Sequence, residues 1–285
     1  AQLVGTLKKV IAAAGIGKII SDSINMGGAL QQSLGGVETL FKDSADTVKE
    51  YAAQAYRTVG LSANDYMEQT TSFAASLLSS VSQDTDAAAQ LANMAMVDMA
   101  DNANKMGTDM QDIQNAYQGF AKQNYTMLDN LKLGYGGTKT EMERLLADAQ
   151  KLTGVKYDIN NLADVYSAIH VIQGELGITG TTAKEAMSTI QGSLNMTKAA
   201  WENVLTALGG GGELDGAVTN LITSAAAFAG NLLPVVNTVL TGIVSALPQL
   251  VTAAVGFVPQ LATTLITLAP ALLTAGIQLF TGLVQ

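Results

Sequence analysis

Apolar side chains recur at helical spacing along most of the first 208 residues. Thr140 and Glu143 match the Ser/Thr-x-x-Glu/Gln capping box, which predicts a helix start at Thr140. Behind them an apolar stripe repeats every three or four residues, at Met142, Leu145, Leu146, Ala149 and Leu152. A second stripe comprises Val37, Leu40, Phe41, Val48, Tyr51 and Ala52. This pattern is typical of amphipathic helices that bury one face.

Short glycine-containing joints separate the predicted helices. Proline is absent before Pro234, so glycine is the residue that interrupts the helical pattern. The joints are Gly60–Leu61, Gly107, Gly134–Gly137, Gly154 and Gly177–Gly180. Further helix starts are indicated by Ser62 with Asp65 and by Thr108 with Gln111. No segment alternates apolar and polar residues between turn signals, as a half-buried strand would. The sequence therefore predicts an all-α fold, in which helical hairpins form a bundle-like core.

The chain changes character after Asp215, its last ionisable residue. Residues 216–285 contain no Asp, Glu, Lys, Arg, His or Tyr. A helix that faces water needs a polar stripe opposite its apolar one, and only Thr, Ser, Asn and Gln are present here to form it. We therefore expect this segment to be buried in an assembly or in lipid. The run Gly209–Gly212 directly before it predicts a flexible linker.

The charge-free segment contains a repeat of the form Pro-x-Leu/Val-x-Thr. Its four copies are Pro234–Thr238, Pro248–Thr252, Pro259–Thr263 and Pro270–Thr274, with prolines spaced by 14, 11 and 11 residues. Eleven residues make three turns of about 3.67 residues, which favours a slight right-handed supercoil. Two arrangements fit: one kinked helix with the prolines inside it, or a row of short helices that each begin near a proline. Either is expected to be elongated when assembled, with neighbours covering its apolar faces.

A permanent membrane anchor is a poorer fit to this segment. Its longest part without Asn or Gln is Leu261–Ile277, which has 17 residues and contains Pro270. A single helical span needs about 20 mainly apolar residues. We therefore expect burial in a homo-oligomer or conditional insertion into a membrane.

These patterns divide the chain into four segments. Residues 1–35 form a glycine-rich apolar N-terminal helix region, 36–208 the helical core, 209–216 the glycine linker and 217–285 the charge-free helical repeat. Lys8–Lys9 before the apolar stretch Val10–Gly17 is typical of a helix against a partner or of a targeting signal, and the lack of a cleavage pattern favours the helix. Because the chain starts at Ala1 and ends inside the repeat at Gln285, we expect it to be one segment of a longer protein.

Composition excludes several classes of chemistry. Charged residues make up 14% of the chain, compared with about 25% in a typical soluble domain. The chain has no cysteine, which excludes disulfides, thiolate zinc sites and cysteine nucleophiles, and its single histidine, His170, excludes sites that need two imidazoles. The net charge of −9 argues against a basic surface for sequence-specific nucleic-acid binding. We expect no cofactor, no metal and no enzymatic activity.

Two clusters invite a chemical interpretation, but a structural one is favoured for both. The segment Gly134–Thr140 resembles a phosphate-binding loop. However, Thr138 separates Gly137 from Lys139, so the Gly-x4-Gly-Lys-Ser/Thr spacing is not met, and a joint between helices is expected. A methionine cluster indicates either a Cu(I) site or flexible core packing, of which packing is favoured. It comprises Met94, Met96, Met99, Met106 and Met110.

The acidic residues and the histidine are also expected to be structural. One acidic cluster has helical spacing but lacks the Asp-x-Asp-x-Asp-Gly arrangement of a calcium loop, so a solvated acidic face is expected. It comprises Asp98, Asp101, Asp109 and Asp112. His170 has Asp164 and Glu175 nearby in sequence but no second imidazole or thiol, so it is expected to be packed or hydrated.

Six blocks of the sequence carry a family resemblance: Gly27–Phe41, Tyr51–Ala55, Leu61–Tyr66, Leu128–Met142, Ile190–Leu194 and Ala199–Asn203. In this order, they resemble the core of tail tape-measure proteins from siphophages and related prophages. Their landmark residues are Gly35, Gly36, Leu133, Gly134, Gly136, Gly137, Thr140 and Trp201. The resemblance covers roughly residues 25–208. A proline-punctuated, charge-free segment after such a core also resembles the family.

The resemblance implies a structural protein of a phage tail, located in the tail-tube lumen of the virion and in the host cytoplasm during assembly. Its length would set tail length, with the tail tube protein, tail assembly chaperones and distal tail or baseplate proteins as partners. At about 1.5 Å per residue, a fully helical chain would extend about 430 Å. Hydrophobic portions of family members are thought to assist DNA passage across the host membrane, so conditional contact with that membrane is expected.

The sequence is also compatible with two other functional classes. A membrane-active pore-forming or toxin-like protein would also use an uncharged apolar segment. A tail-associated enzyme, such as a cell-wall hydrolase, is disfavoured because the sequence lacks a zinc or nucleophile constellation.

Overall fold

The structure is a computed structural model and describes residues 16–210 and 213–284. These residues form ten α-helices, two 3-10 helices and no strand, which confirms the predicted all-α class. The α-helices are α1 Ile16–Phe41, α2 Ala45–Thr58, α3 Ala63–Ser80, α4 Thr85–Met106, α5 Met110–Phe120, α6 Lys139–Thr153, α7 Leu162–Glu175, α8 Thr181–Ala186, α9 Ile190–Leu208 and α10 Leu214–Val284. The 3-10 helices are Lys42–Ser44 and Leu128–Leu131. The predictions for Lys8–Lys9 and for residues 10–15 lie outside the described residues, as do Gly211 and Gly212.

Side-chain caps fix the helix starts, and two of the predicted caps are wrong by one or two residues. The predicted cap of α3 is confirmed, because Ser62 Oγ accepts a hydrogen bond from Asp65 N at 3.2 Å. The cap of α6 is Thr138 rather than Thr140, with Thr138 Oγ1 accepting from Glu141 N at 3.2 Å. Sequence spacing alone allowed either threonine to be the cap, since each has a glutamate three residues later.

The cap of α5 is likewise displaced from its predicted position. Asp109 Oδ1 accepts from Gln111 N at 2.8 Å, while the predicted capping residue Thr108 donates its hydroxyl to Asn130 O at 3.2 Å. A carboxylate is the stronger acceptor for the free N–H groups at a helix start, because it also interacts favourably with the helix dipole. The charged neighbour therefore takes the capping position.

The predicted glycine joints are confirmed as helix ends and connections. Gly107 follows α4 and Gly154 follows α6, each in the left-handed conformation, with φ of 63° and 75°. Glycine adopts this conformation without strain, so the helix stops and the chain turns there. The remaining joints also fall between helices, at residues 60–61, 134–137 and 177–180.

The main hydrophobic core lies among α1–α7 and the 3-10 helices. Its largest buried side chains include Tyr66, Tyr117, Tyr166, Phe41 and Phe120. The α6 stripe is buried as predicted except for Leu152, which is 49% exposed. Leu152 lies ten residues after Met142 and is therefore about 80° away around the helix. The second stripe is divided by the turn at 42–44, and its members are buried or packed against the core.

A second, smaller hydrophobic cluster joins α8, α9 and the first turns of α10. It comprises Tyr56, Ala186, Met196, Ala199, Ala200, Val204 and Leu221, with Trp201 packed against them.

Next to this cluster, the end of α9 crosses α1 closely. A Cβ on Gly27 would overlap Gly209 O, and a Cβ on Gly209 would overlap Ser23 O. A Cβ on the adjacent Gly28 would meet nothing within 4 Å. The crossing therefore requires glycine at 27 and 209 but not at 28.

Asn231 attaches the first part of α10 to the turn between α8 and α9. Its Nδ2 donates to Met187 O, Thr189 O and Ser193 Oγ at 3.0–3.1 Å. Contacts between residues divide the chain into two compact units, Ala1–Asn231 and Leu232–Gln285, so the division falls inside α10. The sequence prediction placed a linker at 209–216 instead, and its boundary after residue 35 falls inside α1.

Candidate functional site

The repeat prolines lie inside a single continuous helix, α10. The alternative of a row of short helices is therefore wrong. Because proline has no N–H group, the carbonyl four residues before each one lacks its intrahelical donor. These carbonyls belong to Gly230, Val244, Val255 and Ile266. At about 100° per residue, the four prolines fall within about 40° of one another around the axis, so the interrupted backbone hydrogen bonds share one edge of the helix.

The threonines of the repeat turn their hydroxyl groups back onto the helix. Thr238 Oγ1 donates to Pro234 O, and Thr263 Oγ1 donates to Pro259 O, each at 2.8 Å. The spacing of four residues from proline to threonine places the hydroxyl over that carbonyl. The side chains of Thr252 and Thr274 lie outside what the structure describes. In the two described repeats, the hydroxyl is therefore satisfied within the helix and adds little polarity to its surface.

Residues 233–248, at the start of the second unit, expose apolar side chains on every side of the helix. Residues 233–248 are all exposed, and sixteen consecutive residues pass around an α-helix more than four times. Leu240, Ile243 and Val244 are 54%, 54% and 63% exposed. Over Leu214–Pro248, α10 is long and apolar enough to span a membrane: an 18-residue window within it has a mean hydropathy of 1.6 and contains no buried residue. Some core helices and signal sequences meet the same criteria of length and composition, although a core helix is mostly buried.

The landmark residues 133–140 form a tight turn that leads into α6. Leu133 is buried, and Gly134 has a φ of 87°. Gly136 N donates to Glu141 Oε2 at 3.0 Å, and a Cβ on Gly137 would overlap Thr126 O. Thr140 lies in the first turn of α6. The carboxylate of Glu141 therefore takes the backbone N–H that a phosphate-binding loop would offer to its ligand.

Arg144 completes this turn from within α6. It donates to Gly134 O at 2.7 Å and to Glu141 Oε2 at 2.6 Å, and its guanidinium lies 4.2 Å from the centre of the Tyr135 ring. The hydrogen bond from Arg144 holds the pKa of the Glu141 carboxyl below its usual value. These contacts give the landmark turn a structural role, because it joins the 3-10 helix Leu128–Leu131 to α6.

The other landmarks lie elsewhere and also take part in packing. Gly35 is exposed on α1, whereas a Cβ on Gly36 would lie 3.3 Å from Thr71 Cγ2 of α3. Trp201 is half-buried on α9 against the second cluster. The landmarks therefore occupy three separate positions, on α1, before and within α6, and on α9.

Asp98 and His170 form a partly buried contact that sequence reasoning missed. His170 Nδ1 lies 2.8 Å from Asp98 Oδ1 and 3.0 Å from Oδ2. The Asp98 side chain is 1% exposed and that of His170 is 39% exposed. Burial raises the pKa of Asp98 to about 6, and the hydrogen bond with Asp98 raises the pKa of His170. The residues lie 72 positions apart on α4 and α7, so local spacing gave no signal of the pair.

The prediction of a solvated acidic face is wrong for the two aspartates on α4. Asp98 and Asp101 are both buried. Asp101 Oδ2 accepts from Gly180 N at 2.5 Å and Oδ1 accepts from Thr182 N at 2.7 Å, so it caps the start of α8 from another helix. The spacing of three residues correctly places both carboxylates on one face of α4. That face points inward because partners from α7 and α8 satisfy the charges.

The methionine cluster packs as predicted. Met96 and Met99 belong to the main core, and Met94, Met106 and Met110 pack against it. Among the residues that the structure describes, no group of three or more His, Cys, Asp or Glu side chains is placed to hold a metal ion. The described side chains of α4 thus serve packing and capping.

No family model, curated protein or solved structure matches this chain. The expected resemblance to tape-measure proteins therefore stays a prediction from the sequence blocks between Gly27 and Asn203. Those blocks and the geometry of α10 are the two observations that bear on function.

Proposed function

We propose that this chain is a tape-measure protein of a phage tail, a structural scaffold that lies in the lumen of the tail tube. In this role it has no enzymatic activity, and its length limits the polymerisation of the tail tube protein. Tail assembly chaperones cover it before assembly, distal tail or baseplate proteins hold one end, and its copies form a homo-oligomer. It is present in the host cytoplasm during assembly, and during ejection its apolar part contacts the host membrane and assists DNA entry.

The apolar surface of α10 carries this proposal. Residues 233–248 are exposed on all sides, and no ionisable side chain follows Asp215. Such a helix is stable only where other surfaces cover it, since a helix in water needs a polar face. A closed tube provides that cover. A long helix also provides a ruler, because every residue adds about 1.5 Å to its length.

Deleting two units of the repeat tests the ruler. Removal of residues 248–269 from the gene in the phage removes 22 residues and preserves the prolines at 234 and 270. Tails are expected to shorten by about 33 Å, at about 1.5 Å per residue. Tail lengths are measured by electron microscopy on purified particles.

A matched control variant keeps the number of residues and changes their order. The same 22 residues are scrambled, so that composition is constant and the proline spacing is lost. This variant is expected to give tails of the original length. Unchanged tail length in the deletion variant would rule out a ruler function for this segment.

A membrane-active pore-forming protein is the second candidate, supported by the apolar window Leu214–Pro248. It predicts that the full-length chain, diluted from detergent, releases a dye from phospholipid vesicles. The tape-measure function predicts a tail assembly defect in the null phage even where no leakage occurs. A chain that causes no leakage at any protein-to-lipid ratio would remove the pore-forming candidate.

A further inference from the structure

A cavity of about 440 Å³ opens in the first unit where five segments meet. The turn between α2 and α3 forms one wall, and the end of α4 with the start of α5 forms the next. α8 and the first turn of α9 complete it. Cavities of roughly 300–1,000 Å³ are large enough for a small molecule or a single long side chain.

The chemistry of the walls selects the charge of the ligand. Val59, Leu61 and Ala103 supply apolar surface. The ionisable residues among the described lining residues are Asp109 and Glu185, both acidic, and none is Lys, Arg or His. The chain as a whole has a net charge of −9. A positively charged group is therefore attracted to this cavity, whereas an anion is repelled.

Free hydrogen-bonding capacity remains in the walls. Glu185 Oε2 accepts from Asn104 Nδ2 at 2.9 Å, and its other oxygen has no hydrogen-bond partner among the described residues. A carboxylate oxygen in the cavity wall can therefore accept a hydrogen bond from a ligand that enters.

We propose that this cavity binds a lysine or arginine side chain that projects from a partner protein. The aliphatic stem lies on Val59, Leu61 and Ala103, and the cationic head donates a hydrogen bond to Glu185. Lysine and arginine suit such a mixed site, because they bury their stems on apolar surface while the charged head keeps polar partners. The inference concerns the helical core and holds whether or not the chain is a tape-measure protein.

The test uses a capped lysine, Nα-acetyl-lysine N-methylamide, as the probe. It is titrated onto the full-length chain in uncharged detergent, with 15N-labelled glycine. Gly60, Gly107 and Gly192 line the cavity and report binding through their amide signals. Saturable shifts are expected at these glycines. Capped norleucine, which has a similar stem without the charge, is expected to bind at least threefold more weakly.

Two variants separate charge from shape. Glu185→Gln keeps an oxygen for Asn104 and removes the charge, and it is expected to weaken capped lysine at least threefold. Ala103→Met fills the apolar wall and is expected to weaken both probes. Glu175→Gln changes an exposed carboxylate outside the cavity and should leave binding unchanged. Equal binding of both probes, unchanged binding in Glu185→Gln, or shifts confined to other glycines would overturn the proposal.

Discussion

At the scale of single residues, the pair Asp98–His170 makes a contact between two helices depend on protonation. Asp98 is almost fully removed from water, which favours its neutral form, while its contact with His170 favours the charged form. His170 is half-buried and gains a hydrogen bond from this contact. The pair therefore links α4 to α7 through a contact whose strength depends on protonation.

Replacing Asp98 with asparagine should lower the pKa of His170. In the native chain the hydrogen bond with Asp98 holds that pKa above its ordinary value, so the pKa should fall in Asp98→Asn. NMR titration measures this directly, because His170 is the only histidine and gives a single imidazole signal. Asp112→Asn, on the exposed face of α5, is the control and should leave the pKa as it is.

The same variant should change how stability depends on pH. Both pKa values are raised in the folded state, so the folded chain binds protons more tightly than the unfolded chain. Stabilisation from such groups is present at low pH and is lost as pH rises through the folded pKa values. The stability advantage of the native chain over Asp98→Asn should therefore shrink as pH rises through about 6. Urea unfolding at a series of pH values measures it, and an advantage that stays constant or grows with pH would contradict the prediction.

At the scale of helices, most boundaries could be predicted and most partners could not. Gly107 and Gly154 marked helix ends because their backbone conformation is local. The choice of Thr138 over Thr140 depended on Arg144 and Gly136, which hold Glu141 in place. The burial of Asp101 depended on α8, 79 residues further along the chain. Local signals therefore place the helices, whereas burial of their polar residues depends on contacts that sequence spacing does not contain.

The crossing of α1 and α9 predicts opposite effects for two adjacent glycines. Gly27→Ala places a methyl group against Gly209 O and should destabilise the fold by about 1–3 kcal/mol. Gly28→Ala meets open space inside a helix and should stabilise it by about 0.5–1 kcal/mol. Urea unfolding in detergent measures both. Similar effects of the two substitutions would mean that α1 and α9 do not cross at Gly27.

Asn231 should hold the first part of α10 against α9. Asn231→Ala removes the hydrogen bonds to Met187 O, Thr189 O and Ser193 Oγ and should cost about 1–3 kcal/mol. Hydrogen exchange by mass spectrometry should become faster in residues 214–231. Asn237→Ala lies six residues later on the exposed part of the helix and is the matched control. If both variants exchange at the native rate, the attachment contributes nothing to stability.

At the scale of the whole molecule, the chain combines two units that differ in how much apolar surface they expose to solvent. The first unit has a buried core of its own, whereas the described side chains of residues 233–248 are exposed and mostly apolar. The charge pattern allowed this difference to be predicted, because no ionisable residue follows Asp215. The continuity of α10 could not be predicted, since prolines are compatible with helix starts and with kinked helices.

The two units should differ in their need for detergent. A chain that ends at Asn231 is expected to sediment as a monomer without detergent, whereas the full-length chain is expected to associate, because its apolar helix lacks cover. Sedimentation velocity measures both. The triple variant Leu240→Gln, Val244→Gln and Leu247→Gln makes one helix face polar and should reduce association. A monodisperse full-length monomer in plain buffer would contradict the prediction.

The chain has one tryptophan and one histidine, and they lie in different parts of the first unit. Trp201 packs on the small cluster of α8, α9 and α10, and His170 contacts α4 beside the main core. Fluorescence and imidazole resonances therefore observe the two regions separately, without any label. Coincident unfolding curves from both probes would reveal one cooperative transition, while an earlier fluorescence change would reveal that the α9–α10 region detaches first.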